Sequence, residues 1–306
     1  MYSIFKKLPL VSLMILLTSC AQETDQSQSD VTAEIQAETV DQNSSAGVSF
    51  ADNVASDIKR FKGYFVEKFP SIDVYEFKDG AYAIDEAKRQ QWLDIEEFPP
   101  YEFSIEEGEE SFSEVFANGK TYADCFENGG VGVRQNFPYF DTESNQVITL
   151  ELAINQCRQA NGEEPLAYGQ GEIANISAYM AYTSRDKKFD IQVPNESAYN
   201  AYLSGKKFYY SKRGQLNFSC ADCHLKISGS NLRAELLSPG IGQTTGMPIY
   251  RAKWGELGTI GHRYKECNLN VRAQPFDYQS EAYRNLEYFQ TIMSKGFVVN
   301  GPSSRR

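Results

Sequence analysis

Cys220-Ala221-Asp222-Cys223-His224 is a C-x-x-C-H run, the spacing of a c-type haem attachment site. Two thiols reach the two vinyl groups of one porphyrin, and the adjacent imidazole falls on the iron as proximal ligand. A structural zinc site would need a second Cys/His pair, and the other histidine, His262, has no pairing residue nearby. A thioredoxin-like redox motif would sit in a βαβ pattern without the following histidine. The run is therefore read as holding one covalent haem c through Cys220, Cys223 and His224.

Upstream, the chain starts like an exported protein. Lys6 and Lys7 precede an apolar run from Leu8 to Leu17, shorter than the roughly 20 residues that span a bilayer. Leu17-Thr18-Ser19-Cys20 resembles a bacterial lipobox, which implies a signal peptide over 1–19, cleavage before Cys20 and a lipid anchor on that cysteine. Residues 20–47, rich in Gln, Ser, Thr, Asp and Glu, cannot bury a core and are expected to be a disordered tether. The protein is expected in the periplasm, where haem c is attached and disulfides form. Gln22, in place of an aspartate linked to inner-membrane retention, points to the outer membrane. Losing residues 1–19 removes two lysines and no acid, taking the formal charge from −11 to −13. So acidic a chain is no partner for nucleic acid.

Six cysteines are present: Cys20, Cys125, Cys157, Cys220, Cys223 and Cys267. Lipid takes one and haem two, leaving three that cannot all pair. Cys125 bridged to Cys157 leaves Cys267 free or ligating; Cys267 bridged to either leaves a different odd thiol.

Two segments look alike. Gly119-Lys120-x-Tyr122 precedes Cys125, then Cys157 and a helix candidate at Gly171–Thr183 follow; Gly205-Lys206-x-Phe208 precedes Cys220, then Cys267 and a candidate at Ser280–Lys295 follow. The expected fold is mainly α: a helical extension (48–110), a haem-less cytochrome c-like domain (111–195) and a haem-binding cytochrome c domain (196–298). Val48–Phe69 has helical spacing, Glu97–Glu110 reads as a solvated acidic loop, and Val147–Ile154 fits helix or strand. Opposite His224, the candidate iron ligands are Met247, Met293, Cys267 and His262, and spacing alone does not choose among them.

Gly246-Met247-Pro248-Ile249-Tyr250-Arg251, Trp254, His262-Arg263, Glu266-Cys267-Asn268 and Val271-Arg272-Ala273-Gln274-Pro275-Phe276 resemble the SoxA subunits of the SoxAX cytochromes, of the kind with one haem and a disulfide replacing the other. The resemblance implies an L-cysteine S-thiosulfotransferase that joins thiosulfate to a cysteine of a SoxYZ-like carrier protein, works with a SoxX-like monohaem subunit and passes electrons to cytochrome c. It maps the haem-ligating active-site cysteine, found as a persulfide, onto Cys267, the substrate-binding arginine onto Arg263, and the disulfide onto Cys125 and Cys157. The local charge agrees: residues 251–272 carry Arg251, Lys253, Arg263, Lys265 and Arg272 against Glu256 and Glu266, a positive spot that would attract a small dianion. The alternative is a lipid-anchored electron-transfer cytochrome c with a methionine on the iron.

Overall fold

The computed structural model describes residues 49–305; the expected signal peptide, Cys20 and the tether lie outside the described residues. Helix α1 (Phe50–Lys68) opens on Ser49, whose side chain accepts from the Asp52 amide at 3.2 Å. A 3-10 segment (Val74–Ala83), α2 (Glu86–Glu96) and α3 (Glu102–Ser113) follow. A hairpin of β1 (Tyr139–Asp141) and β2 (Gln146–Ile148) leads into α4 (Leu150–Ala160) and α5 (Glu172–Tyr182). Helix α6 (Glu196–Tyr210), capped by Asn195 on the Ala198 amide at 2.9 Å, runs towards the haem motif. After it come a wide helical turn (Asp222–Lys226), a short hairpin of β3 (Asn231–Leu232) and β4 (Glu235–Leu236), and a second of β5 (Ile249–Arg251) and β6 (Glu256–Gly258). Helices α7 (Ile260–Asn270) and α8 (Glu281–Met293) complete this half, and β7 (Ser303–Ser304) adds in parallel beside β5. The fold is mainly α, with strands of two or three residues.

One expectation needs correction, and one left open is resolved. The acidic stretch Glu97–Glu110 is largely helix rather than loop, as α3. Its carboxylates line the outer face, while Gly108 and Phe112 turn inwards against α5, so an apolar stripe too narrow to read in sequence suffices once a partner helix covers it. Val147–Ile154 is both strand and helix: Thr149 divides it, its hydroxyl accepting from the Leu152 amide at 3.2 Å.

The duplication is real but its register differs. Gly119 is a loop residue after α3, whereas Gly205 lies inside α6. The counterpart of Gly205 is Gly108. A methyl on Gly205 would stand 2.6 Å from the Asn285 carbonyl carbon, and one on Gly108 would stand 2.5 Å from that of Asn175. Each glycine lets two helices of its own copy, α6 with α8 and α3 with α5, cross backbone to backbone. Asn175 and Asn285 are 110 residues apart, and the same step carries cis Pro138 to cis Pro248, β1–β2 to β5–β6, α4 to α7, and Cys157 to Cys267. Contacts between the copies are reciprocal. Thr149 Oγ1 donates to Gln279 Oε1 at 2.7 Å, the Thr259 amide donates to the Gly169 carbonyl at 2.8 Å, and Lys188 pairs antiparallel with Val298. Equivalent residues exchange partners, as across a two-fold axis.

Each copy has its own apolar core. In the first, Phe112, Tyr122, Leu150, Ile154, Ile176 and Met180 are buried together. In the second, Phe61 and Phe65 of α1 join Tyr202 and Tyr209 of α6 and Phe289 of α8. Asp57 of α1 is pinned there by Lys206 Nζ at 2.8 Å and Tyr202 Oη at 2.6 Å.

Candidate haem and sulfur site

Ser219 and Asp222 cap the motif reciprocally. The Ser219 amide donates to Asp222 Oδ2 at 2.9 Å, and the Asp222 amide donates to Ser219 Oγ at 3.0 Å. Burial raises the Asp222 pKa, but these bonds and Lys226 at 3.1 Å hold it below the usual carboxylate value. A fixed anion thus closes the turn that presents Cys220, Cys223 and His224.

His224 Nδ1 lies 2.9 Å from the Ser238 carbonyl oxygen and 2.7 Å from the side-chain amide of Gln243. Burial, partly offset by the Ser238 bond and aided by the Arg263 charge, lowers its pKa to about 4. The imidazole is therefore neutral, with Nδ1 engaged and Nε2 left for a metal. Cys220 and Cys223 are unbridged. Burial, then the nearby Cys267, pushes the Cys220 thiol up to about 12, and the same two causes raise Cys223. Buried Tyr209 Oη and Arg213 Nε lack hydrogen-bond partners beside these sulfurs. Two unbridged thiols, a neutral imidazole with one free nitrogen, and unpaired polar atoms around them fit a c-type haem.

Cys267 and Arg263 both project from α7, one turn apart. Cys267 perturbs Cys220, Cys223 and Arg263, and Arg263 perturbs His224, so these groups lie within electrostatic reach of one another. Burial acts to lower the Arg263 pKa, yet Cys267 and Glu266 raise it on balance. The other candidate ligands have different surroundings. His262 Nδ1 bonds Tyr278 Oη at 3.0 Å and its ring meets Trp254 edge-on. Met293 packs beside Asp57, Phe61 and Phe289 on the α1 side of α8. Met247 is buried just before cis Pro248.

The positive spot is more balanced than the sequence suggests. Glu266 receives Arg263, Lys253 and, at 3.3 Å, Trp254 Nε1. Arg251, only 3% exposed, is met by Glu235 at 2.5 Å from the β3–β4 hairpin, and Lys265 lies over the Tyr278 ring. The Glu266 pairing is a legible i, i+3 spacing. Glu235 comes from another element, and no pattern in the sequence points to it. Gln243, which contacts the proximal histidine, also escapes sequence reasoning.

A family model described as SoxA/TsdA, cytochrome c domain, matches residues 107–189, the first copy. The L-cysteine S-thiosulfotransferase subunit SoxA of Chlorobaculum thiosulfatiphilum is 52% identical over 261 residues, 85% of this chain and 91% of that one. Its namesake in Allochromatium vinosum is 49% identical over 248 residues, 80% and 88% of the two chains. Among solved structures, SoxXA from P. pantotrophus superposes with a TM-score of 0.65 at 26% identity, covering 71% of this chain and 84% of that one. The chain belongs to the family of L-cysteine S-thiosulfotransferase SoxA subunits.

Proposed function

We propose that Cys267 is the reacting sulfur of a thiosulfate-conjugating cytochrome subunit, and that Arg263 binds the substrate sulfonate. The observation that supports this most directly is that α7 carries Cys267 within electrostatic reach of Cys220 and Cys223, with Arg263 one turn before it. Cys220 and Cys223 would hold the haem covalently, and His224 and Cys267, as thiolate or persulfide, are the residues that would ligate its iron. When bound, this haem supplies a one-electron acceptor, and a second one in a SoxX-like partner completes the pair.

Arg263 presents planar donors that suit sulfonate oxygens, and Glu266 holds its guanidinium in place from the same helix. A thiosulfate gripped there directs its outer sulfur towards Cys267. The overall step joins a carrier thiolate to thiosulfate, R–S⁻ + S₂O₃²⁻ → R–S–S–SO₃⁻ + 2e⁻: one sulfur–sulfur bond forms and the electrons leave towards cytochrome c. The carrier is a SoxYZ-like protein bringing its cysteine to the open side of the pocket. The chain works in the periplasm, tethered by lipid on Cys20, at the outer membrane.

The test is thiosulfate-dependent cytochrome c reduction by the assembled complex with a SoxYZ-type carrier. Cys267→Ser should lose at least ~100-fold in rate, the order expected when a nucleophile is removed, while keeping covalent haem absorbance. Full activity in that variant would sink the reading.

A further inference from the structure

His224 Nδ1 is one end of a chain of side-chain hydrogen bonds. The Gln243 amide lies 2.7 Å from it, the Gln290 amide lies 2.7 Å from that of Gln243, and the Tyr264 hydroxyl closes on Gln290. Gln290 and Tyr264 are buried. Tyr264 belongs to α7, between Arg263 and Cys267 in sequence, so the chain links the residue below the haem to the helix that carries the reacting sulfur.

Chemistry orients it. The second partner of Nδ1, the Ser238 carbonyl at 2.9 Å, can only accept, so Nδ1 carries the proton. A protonated Nδ1 cannot also accept from an amide NH₂. The Gln243 amide therefore turns its Oε1 to Nδ1, and amide oxygen and nitrogen are assigned by their networks. Its NH₂ then donates to Gln290, whose own NH₂ donates to Tyr264 Oη. The Nδ1 proton is shared between the Ser238 carbonyl and Gln243, and beyond Gln243 each bond runs away from the histidine.

The first copy supplies a built-in control. The 110-residue step carries Gln243, Tyr264 and Gln290 back to Val133, Ile154 and Met180, all three buried in the apolar core of the copy that has no histidine. The framework is preserved around these positions: Gly132 and Gly242 share a positive φ, and Ser184 Oγ and Ser294 Oγ donate to the Met180 and Gln290 carbonyls at 2.6 and 3.0 Å. Buried polar groups destabilise a core unless each is satisfied. Three polar groups, Gln290 and Tyr264 buried and Gln243 half-buried, placed in line from the histidine in one copy and replaced by apolar side chains in the other, are tied to the histidine and not to the fold.

We propose that Gln243, Gln290 and Tyr264 are positioning residues that set the donor strength of the proximal histidine. An acceptor at Nδ1–H gives the imidazole imidazolate character and stabilises oxidised iron. The chain polarises that acceptor, since an amide whose NH₂ donates onward carries more negative charge on its oxygen. The proposal rests on the reading that His224 ligates the haem.

The test uses the complete complex and redox titration of the haem. Gln243→Leu removes one of the two acceptors at Nδ1, leaving the Ser238 carbonyl, and should raise the reduction potential by up to about tenfold in the electron-transfer equilibrium, ~59 mV for one electron. Gln243→Glu strengthens the acceptor and should lower it. Gln290→Leu and Tyr264→Phe should move it in the Leu direction by less. The KM for thiosulfate should stay unchanged in all four. Equal or same-sign shifts in the Leu and Glu variants would overturn the proposal, because a purely structural role gives no reversal of sign. A low-spin haem spectrum that survives His224→Ala would instead remove the ligand reading on which it rests.

Discussion

Gly205→Ala is the sharpest test of how the second copy is held together. The added methyl would sit 2.6 Å from the Asn285 carbonyl carbon and 2.9 Å from Phe289 Cβ, and the backbone of α8 cannot rotate away as a flexible side chain could. Restoring ordinary contact needs α6 and α8 to part by about 1 Å, a gap that forfeits a quarter to a half of each dispersion contact across it. Tyr202, Tyr209 and Phe289 are fully buried at this crossing. At ~2 kcal/mol of burial each, loosening them forfeits ~1.5–3 kcal/mol, and residual overpacking strain adds ~1–3 kcal/mol. The better helix propensity of alanine returns about 1 kcal/mol. The net loss is about 1.5–5 kcal/mol, read as a lower denaturant midpoint at unchanged slope. Gly63→Ala is the matched control: it is also inside a helix, α1, but nothing lies within 4 Å of its new methyl, so it should stabilise by ~0.5–1 kcal/mol. A neutral or stabilising Gly205→Ala, with Gly63→Ala behaving as stated, would refute the backbone-to-backbone crossing.

Two further outcomes follow from buried charge. Asp57→Ala leaves Lys206 buried without its carboxylate and should destabilise by about 3–5 kcal/mol in chemical denaturation, while Asp57→Leu with Lys206→Met should recover most of the loss. Glu287, buried against Glu151 and 3.8 Å from Arg134, has its pKa raised to about 8 by burial and by the Glu151 charge. The native state thus keeps a proton that the unfolded chain releases near pH 4.5, so stability from this group is full below that value and falls as pH rises to 8; Glu287→Gln should flatten that slope in a pH series of denaturant melts.

Much of the fold was legible where spacing carries the physics. Helices α5 and α8 follow from the spacing of Ile173, Ile176 and Met180, and of Leu286, Phe289 and Met293, whereas the caps Ser49, Thr149 and Asn195 emerge only in the structure. The haem motif was legible because covalent attachment demands fixed spacing. The repeat register was not, since a Gly-Lys dipeptide looks the same in the loop at Gly119 as in the helix at Gly205, and only the approach of Asn175 and Asn285 shows which glycine is needed for close packing. The counter-ion of Arg251 was hidden for another reason: Glu235 reaches it across 16 residues from a separate hairpin, and pairing between elements leaves no periodic trace.

The two copies also separate what the framework provides from what the site adds. Helices α4 and α7 place a sulfur at the same position, Cys157 and Cys267, eight residues after equivalent threonines, Thr149 and Thr259. In the first copy that sulfur is bridged to Cys125, with Cα atoms 5.8 Å apart; in the second it is unbridged and close enough to Cys220 and Cys223 to perturb both. The neighbours on the helix differ to match: Ala153 stands where Arg263 does, and Gln156 where Glu266 does. From Gly108 to Pro138 the chain runs 30 residues, and from Gly205 to Pro248 it runs 43. The extra length lies in the segment that carries the C-x-x-C-H turn, Ser238 and Glu235, the groups that meet His224 and Arg251. The duplicated framework therefore delivers a sulfur in either copy: in the first it closes a staple, and in the second the longer segment sets the C-x-x-C-H turn within electrostatic reach of it.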